Sequence, residues 1–296
     1  MNTRILAAEY EYSAPATLDE ALDILARQER VRILNGGTDL IVKLKTGAPL
    51  PLDYMLDIKR VSGLDYIRYD EREAMLHIGP TATLSRIEKD AAVQEKYPAL
   101  AEAIQLMAAV SVRNMGTMAG NICNASPVAD SVIPAICYQA VLTLQSQNAT
   151  RQAPLHEFFV APGVSVITPQ ELLVDIALPL PKPGTGAAFV KKTRVRPDIA
   201  KISICALIER EGPAVRACRI AMAAIAATPA YLKAVGDSLA GQTLTEQLIA
   251  ETAALAAASI KPIDDSRTTA EYRLHIAEVL TADVLREAWK RAGGEL

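Results

Sequence analysis

Ile33-Leu34-Asn35-Gly36-Gly37-Thr38-Asp39-Leu40 decides the reading of this chain. It acts together with a second glycine-centred stretch, Gly116-Thr117-Met118-Ala119-Gly120-Asn121, which runs into Ile122-Cys123-Asn124-Ala125-Ser126-Pro127. Glycine has no Cβ to hold a ligand off the backbone, so main-chain N–H groups can approach an anion closely at each stretch. One glycine pair usually marks an ordinary turn. Two, both flanked by Thr, Asn and Asp, point to a large phosphate-bearing cofactor gripped from two sides. Neither is a G-x-G-x-x-G opening a helix after a strand, so the pattern differs from a Rossmann fingerprint.

Working outward, residues 18–30 carry helical spacing, with Thr17 as N-cap and Glu20 completing a capping box. Residues 31–34 form a short apolar run before the first glycines. The apolar pattern returns over 40–45 and is broken by Gly47, Pro49 and Pro51. Residues 54–58 and 67–78 read as strands, the second stretch with a charged turn at Asp70-Glu71-Arg72-Glu73. Residues 83–91 and 99–110 read as helices, and 141–145 and 171–178 as strands. Pro179, Pro181, Pro183, Gly184 and Gly186 make a breaker-rich joint, which predicts a division into 1–178 and 179–296. Beyond it come strand-like stretches 187–193, 202–209 and 214–224, then alanine-rich helices 232–239, 246–260 and 269–291. Antiparallel sheet first and helices after is an α+β pattern.

The chain of 296 residues is long enough for about two domains. It is 50% hydrophobic with net charge −3 and no dense Lys/Arg run, which indicates neither a nucleic-acid nor a membrane-surface partner. Met1-Asn2-Thr3-Arg4, followed by Glu9 and Glu11, predicts no secretory leader, and no run approaches a membrane span of about 20 apolar residues. A cytoplasmic location is expected. Cys123, Cys137, Cys205 and Cys218 show no C-x-x-C spacing and no Cys/His cluster, so free thiols and no metal or iron–sulfur site of the chain's own are expected. His77, His156 and His275 suggest no nucleophilic triad and read as structural. No catalytic residue stands out.

The two glycine stretches, with Val112-Arg113-Asn114-Met115 before the second and Asp130 after it, resemble the flavin subunit of the molybdenum hydroxylases, the xanthine dehydrogenase family in its split bacterial form. Asp265-Ser266-Arg267-Thr268-Thr269-Ala270-Glu271-Tyr272-Arg273 resembles that family's helix-opening motif. The resemblance implies an FAD-binding domain of the p-cresol methylhydroxylase type, built from two α+β subdomains. A C-terminal domain of three antiparallel strands and a helix bundle would follow. It further implies an oxidoreductase subunit that accepts electrons from [2Fe–2S] clusters of a small partner subunit and passes them to NAD or another acceptor. Molybdopterin would belong to a large partner subunit.

By the same resemblance, Ile33, Leu34, Asn35, Gly36, Gly37, Thr38, Asp39 and Leu40 form one cofactor-binding segment. Thr117, Ala119, Gly120, Asn121, Asn124 and Ser126 belong to the other, and Met107 joins the site. Asp130 would accept a hydrogen bond from a sugar hydroxyl, and Leu173 would offer backbone contacts to the flavin ring. In Phe189-Val190-Lys191-Lys192 one lysine would lie near the ring; the match does not decide between Lys191 and Lys192, and Lys191 is preferred. A flavin performs the redox chemistry itself, which agrees with the lack of an acid–base pair. Where the family's second loop often reads Gly-Gly, this chain has Ala119-Gly120, tolerable only if Ala119 keeps negative φ. Two other readings are a stand-alone flavin oxidase of the same fold and a flavin-free nucleotide-binding regulatory subunit.

Overall fold

The computed structural model describes residues 9–48 and 50–296. The readings of Met1-Asn2-Thr3-Arg4 and of Pro49 lie outside the described residues. A small parallel sheet forms the first layer: β1 (Glu11–Ser13), β2 (Val31–Leu34) and β3 (Tyr54–Asp57), in the order β1-β3-β2. Helix α1 (Leu18–Arg27) crosses from β1 to β2, and α2 (Leu40–Thr46) follows the first glycine turn. The capping box forms, with Thr17 Oγ1 accepting from the Glu20 N–H and the Glu20 carboxylate accepting from the Thr17 N–H, both at 3.3 Å. The helix stops before the spacing does, because Gln28 is extended and Arg30 takes φ +49° to enter β2. Ala21, Leu22 and Leu25 bury the apolar stripe of α1 against Leu56 and Ile58.

An antiparallel five-stranded sheet makes the second layer. It comprises β4 (Ile67–Asp70), β5 (Met75–Ile78), β6 (Val141–Gln145) and β7 (Thr150–Pro154), with a later strand inserted at its centre. The hairpin β8 (Phe159–Ala161) and β9 (Val164–Ser165) precedes that strand, β10 (Leu172–Pro179), and the order is β4-β5-β10-β6-β7. Between β5 and β6 lie α3 (Leu84–Lys89), α4 (Ala91–Lys96), α5 (Pro98–Gln105), α6 (Val110–Arg113), α7 (Met118–Cys123) and α8 (Val132–Cys137). The helix read over 83–91 ends at Asp90, which turns extended and caps α4 by accepting from the Val93 N–H at 3.1 Å. The one read over 99–110 ends at Gln105, because Ala108 adopts φ +43°. β7 went unread since only Ala153 of its residues is buried, leaving no apolar alternation at this sheet edge.

The chain then adds an antiparallel sheet of β11 (Thr185–Lys192), β12 (Ile202–Glu211), β13 (Ala214–Ala223) and a two-residue β14 (Ala230–Tyr231), one short strand more than expected. Helices α9 (Lys233–Asp237), α10 (Glu246–Ala258) and α11 (Ala270–Arg291) follow. β12 is covered on both faces, which explains its continuous apolar run. Ile202, Ile204, Ala206 and Ile208 pack among Leu285 and Trp289, while Cys205 and Leu207 join the core formed by Leu100, Ile104 and Ile133. Arg291 bonds Glu102 at 2.7 Å and the Ala187 carbonyl at 2.8 Å, tying α11 to α5 and β11. The Asp265–Arg273 motif does open a helix: Thr269 caps α11, and buried Arg273 bonds Asp265 at 2.7 Å and the Lys201 carbonyl at 2.9 Å. No helix among the described residues is long and apolar enough to cross a membrane.

Arg151 fastens the segment before β10 to the sheet edge. Its guanidinium bonds the Glu171 carboxylate at 2.6 and 2.8 Å and the Val166 carbonyl at 2.8 Å, and the Thr168 N–H donates to Glu171 at 2.8 Å. The Arg151 hydrogen bond is the main reason that the Glu171 carboxyl falls from its ordinary 4.5 to about 2. A carboxyl depressed in the folded state stabilises above its unfolded pKa and loses that stabilisation as pH falls. Arg151→Met should therefore cost about 1 kcal/mol at neutral pH, as befits a partly exposed pair. Denaturant titrations should show the gap to wild type closing between pH 4.5 and about 2; a gap independent of pH would refute the assignment.

Candidate cofactor cleft

The two glycine stretches pack directly on each other. A Cβ on Gly36 would collide with the Met115 carbonyl oxygen and stand 2.8 Å from the Gly116 Cα. The Asn35 amide donates to Thr117 Oγ1 at 2.9 Å and to the Pro80 carbonyl at 2.7 Å, and the Leu84 N–H donates to the Gly116 carbonyl at 2.8 Å. Gly36 thus serves the approach of one loop to the other, a use the sequence reading did not foresee, while still lining the cleft. Gly37 takes φ +70°, the left-handed region that glycine enters at low cost.

The second stretch is mostly helix. Thr117 is the N-cap of α7 and accepts from the Gly120 N–H at 3.0 Å, so the Gly120 donor is already used, a correction. Ala119 lies in the first turn of this helix and keeps negative φ, which meets the condition set by its departure from Gly-Gly. The N–H groups of Gly36, Gly37, Thr38 and Asp39 meet no acceptor among the described residues, and neither does Asn35 Oδ1, although that atom is buried.

These groups open onto a cleft of about 820 Å³, a size suited to a cofactor. Ile33, Asn35, Gly36, Gly37, Thr38, Asp39 and Leu40 line one wall. Thr117, Ala119, Gly120, Asn121, Asn124, Ser126 and Asp130 line the other, and Met107, Leu173 and Lys191 also border the cleft. Leu34 alone of the expected residues stands outside the lining; its Cδ1 lies under the turn, 2.9 Å from where a Cβ on Gly37 would sit. Asn121 accepts from the Ser131 hydroxyl at 2.8 Å, and Ser126 accepts weakly from the Val128 N–H at 3.4 Å. Leu173 sits where the pairing of β10 with β6 slips by a bulge between Leu173 and Asp175, a device that interrupts ladder bonding beside a site.

β11 brings Lys191 into the cleft from the C-terminal sheet. Its ammonium donates to Asp130 Oδ2 at 2.7 Å and to the Leu106 carbonyl at 3.2 Å, and the two side chains are 3% and 7% exposed. Strand alternation turns Lys192 outward, where it is exposed, so Lys191 is the lysine that faces the site. Burial pushes the Asp130 carboxyl up and the Lys191 charge pulls it down. Asp130 Oδ1 is buried and meets no hydrogen bond of ordinary geometry among the described residues, and the buried Ser203 hydroxyl, close enough to pull the carboxyl down, is likewise unpaired.

Several lining residues had escaped notice. Lys43, one turn beyond Asp39 on α2, reaches across to Asn124 Oδ1 at 2.6 Å; helical periodicity was the available signal. Arg113, inside the quoted motif but given no role, stands behind the wall, bonded to the Met107 and Ala108 carbonyls. Cys123 and the segment Pro197-Asp198-Ile199 line the cleft with no local pattern to announce them. None of the three histidines lines it: His77 bonds Asp175 at 2.8 Å, and His156 stands edge-on to Tyr231 at 5.4 Å.

Comparison with known proteins shows the family. Residues 8–181 match the family described as FAD binding domain in molybdopterin dehydrogenase, and residues 187–288 match the CO dehydrogenase flavoprotein C-terminal domain. The chain is 30% identical over 287 residues to the xanthine dehydrogenase FAD-binding subunit of Escherichia coli O157:H7, covering 96% of this chain and 98% of the relative. It is 29% identical to the carbon monoxide dehydrogenase medium chain of Hydrogenophaga pseudoflava, covering 97% and 99%. A solved structure of the carbon monoxide dehydrogenase of that organism, lacking the Mo-pyranopterin moiety, superposes with a TM-score of 0.92 over 97% of this chain and 99% of that one, at 29% identity. Quinoline 2-oxidoreductase from Pseudomonas putida 86 gives 0.89 at 26% identity, covering 96% and 98%. This chain belongs to the molybdopterin dehydrogenase flavoprotein family, as a subunit that joins the FAD-binding domain to the CO dehydrogenase flavoprotein C-terminal domain.

Proposed function

We propose that the cleft holds one FAD without a covalent link, and that the chain carries electrons from [2Fe–2S] clusters of a small partner subunit to NAD or another acceptor. A large molybdopterin subunit would hydroxylate the substrate, and the complex is read as most like xanthine dehydrogenase, on the Asn124-Ala125-Ser126-Pro127 segment. A cytoplasmic setting and a division into 1–178 and 179–296 belong to the same reading. The observation that carries it is the row of four uncommitted N–H groups at Gly36, Gly37, Thr38 and Asp39, opening onto a cleft large enough for a dinucleotide.

When bound, the flavin supplies the redox chemistry. The residues of the chain bind, orient and tune. The four amides meet the diphosphate, with Thr117 and Ala119 opposite, since convergent N–H groups hold an anion well. Asp130 Oδ1 accepts from a sugar hydroxyl. Met107 and the backbone at Leu173 border the ring. The ammonium of Lys191 stands beside it, where positive charge favours the reduced anionic ring.

The cofactor-free chain should bind FAD at least about a hundredfold more tightly than riboflavin, since charge-assisted hydrogen bonds contribute about 1.5–3 kcal/mol each. Fluorescence titration measures both, and equal affinities would remove the diphosphate from these amides. Acid precipitation should release all the flavin; flavin that stays attached would point to Cys123, the thiol lining the cleft, and to the stand-alone oxidase reading. Lys191→Gln keeps a donor for Asp130 while deleting the charge. It should leave FAD content unchanged, lower the flavin potential and slow reduction of the acceptor. Loss of flavin in proportion to activity would make Lys191 an anchor instead.

A further inference from the structure

We infer that Arg113 is a positioning residue for the cationic corner of the cleft: clamped by Glu88, it holds the turn over 106–108, and that turn fixes the ammonium of Lys191. The inference rests on the reading that a flavin ring lies beside Lys191.

Arg113 is only 8% exposed, although it carries a full charge. Its Nε donates to Glu88 Oε2 at 2.9 Å, and the carboxylate, on α3, is itself largely covered. Its Nη1 donates to the Met107 carbonyl at 2.8 Å and to the Ala108 carbonyl at 3.1 Å. One guanidinium therefore ties a carboxylate to two successive carbonyls, a fork that lysine cannot reproduce. The tied backbone is strained: Ala108 has φ +43°, a region that side chains with a Cβ enter at a cost. Such a conformation persists only where its surroundings impose it.

The turn is also a wall of the site. α5 closes with the Met107 N–H donating to the Ile104 carbonyl, and the chain reverses through Met107 and Ala108, both of which line the cleft. The carbonyl just before them, on Leu106, accepts from Lys191 Nζ at 3.2 Å. Lys191 is thus held at two points, by Asp130 Oδ2 at 2.7 Å and by a carbonyl whose direction depends on the turn. Without Arg113, Ala108 has no reason to stay left-handed; its relaxation would turn the Leu106 carbonyl away and leave the ammonium on Asp130 alone. Arg113 touches the cleft only through this backbone, which separates it from the residues expected to meet the cofactor.

The test uses the full-length chain purified with FAD, in the variants Arg113→Lys, Glu88→Gln, Lys191→Gln and the double variant Arg113→Lys/Lys191→Gln. FAD content and the flavin midpoint potential are measured for each. Arg113→Lys should retain FAD and shift the equilibrium about tenfold towards the oxidised form, about 30 mV for a two-electron couple. The direction should match that of Lys191→Gln. The double variant should fall no further than Lys191→Gln alone, because both changes act through one ammonium. An unmoved potential in flavin-loaded Arg113→Lys, or shifts that simply add, would overturn the inference. If Arg113→Lys fails to fold, Glu88→Gln decides, since it leaves an acceptor for Nε and removes only the charge; a smaller shift of the same sign supports the inference and none overturns it. Wild-type chain that takes up no flavin would overturn the reading of the cleft, and the inference with it.

Discussion

The contact of the Gly36 backbone with the Met115 carbonyl is the constraint on which the cleft depends. It joins the turn after β2, in the small parallel sheet, to the segment between α6 and α7, in the layer built on the antiparallel sheet. The bonds from Asn35 to Thr117 and to the Pro80 carbonyl brace the same junction. A methyl group at Gly36 would force the two layers apart. With the layers held together, the amides from Gly36 to Asp39 meet no acceptor among the described residues along the wall of the cleft. Unmade hydrogen bonds of this kind are costly where water is excluded and useful where an anion completes them.

A second layer-crossing interaction closes the other end. The Asp130–Lys191 pair joins the segment before α8 to the edge of the C-terminal sheet, almost wholly out of water. Burying such a pair adds little net stability, but deleting one partner strands a charge and costs about 3–5 kcal/mol. Its value is placement: a cation is held on the wall of the cleft at a site reached only because β11 and β12 pack on the core of the first half. The sheet therefore does more than extend the fold. Its inner face supplies apolar residues to that core, and its first strand supplies a charge to the cleft.

Element types were legible wherever short-range physics decided them. The capping box at Thr17 and Glu20, the strand at Val141–Gln145, the turn at Asp70–Glu73 and the doubly buried β12 all follow from capping, alternation or a continuous apolar run. Errors arose where one side chain or one dihedral interrupted a good pattern. Asp90 splits a helix by capping the next, and the left-handed Ala108 closes off the continuation of another. β7 was invisible because an edge strand facing solvent carries no apolar period.

By itself the sequence marked two stretches where glycine and capping chemistry act within a few residues of the chain; Asp130 entered through the family resemblance, and the fold brings all three to one cleft. The sequence determined neither the use of each glycine nor the lysine that matters. Gly36 answers to Met115, Gly120 to Thr117, and Lys191 to Asp130 across a separation of 61 residues. Lys191 and Lys192 are chemically equal neighbours; only the packing of β11 on the core turns one inward and the other to water. The bond of Gly120 to Thr117 is a local helix cap, but the tertiary structure decided the Gly36 and Lys191 points, because each depends on two segments that no local preference brings together and that meet only when the layers pack.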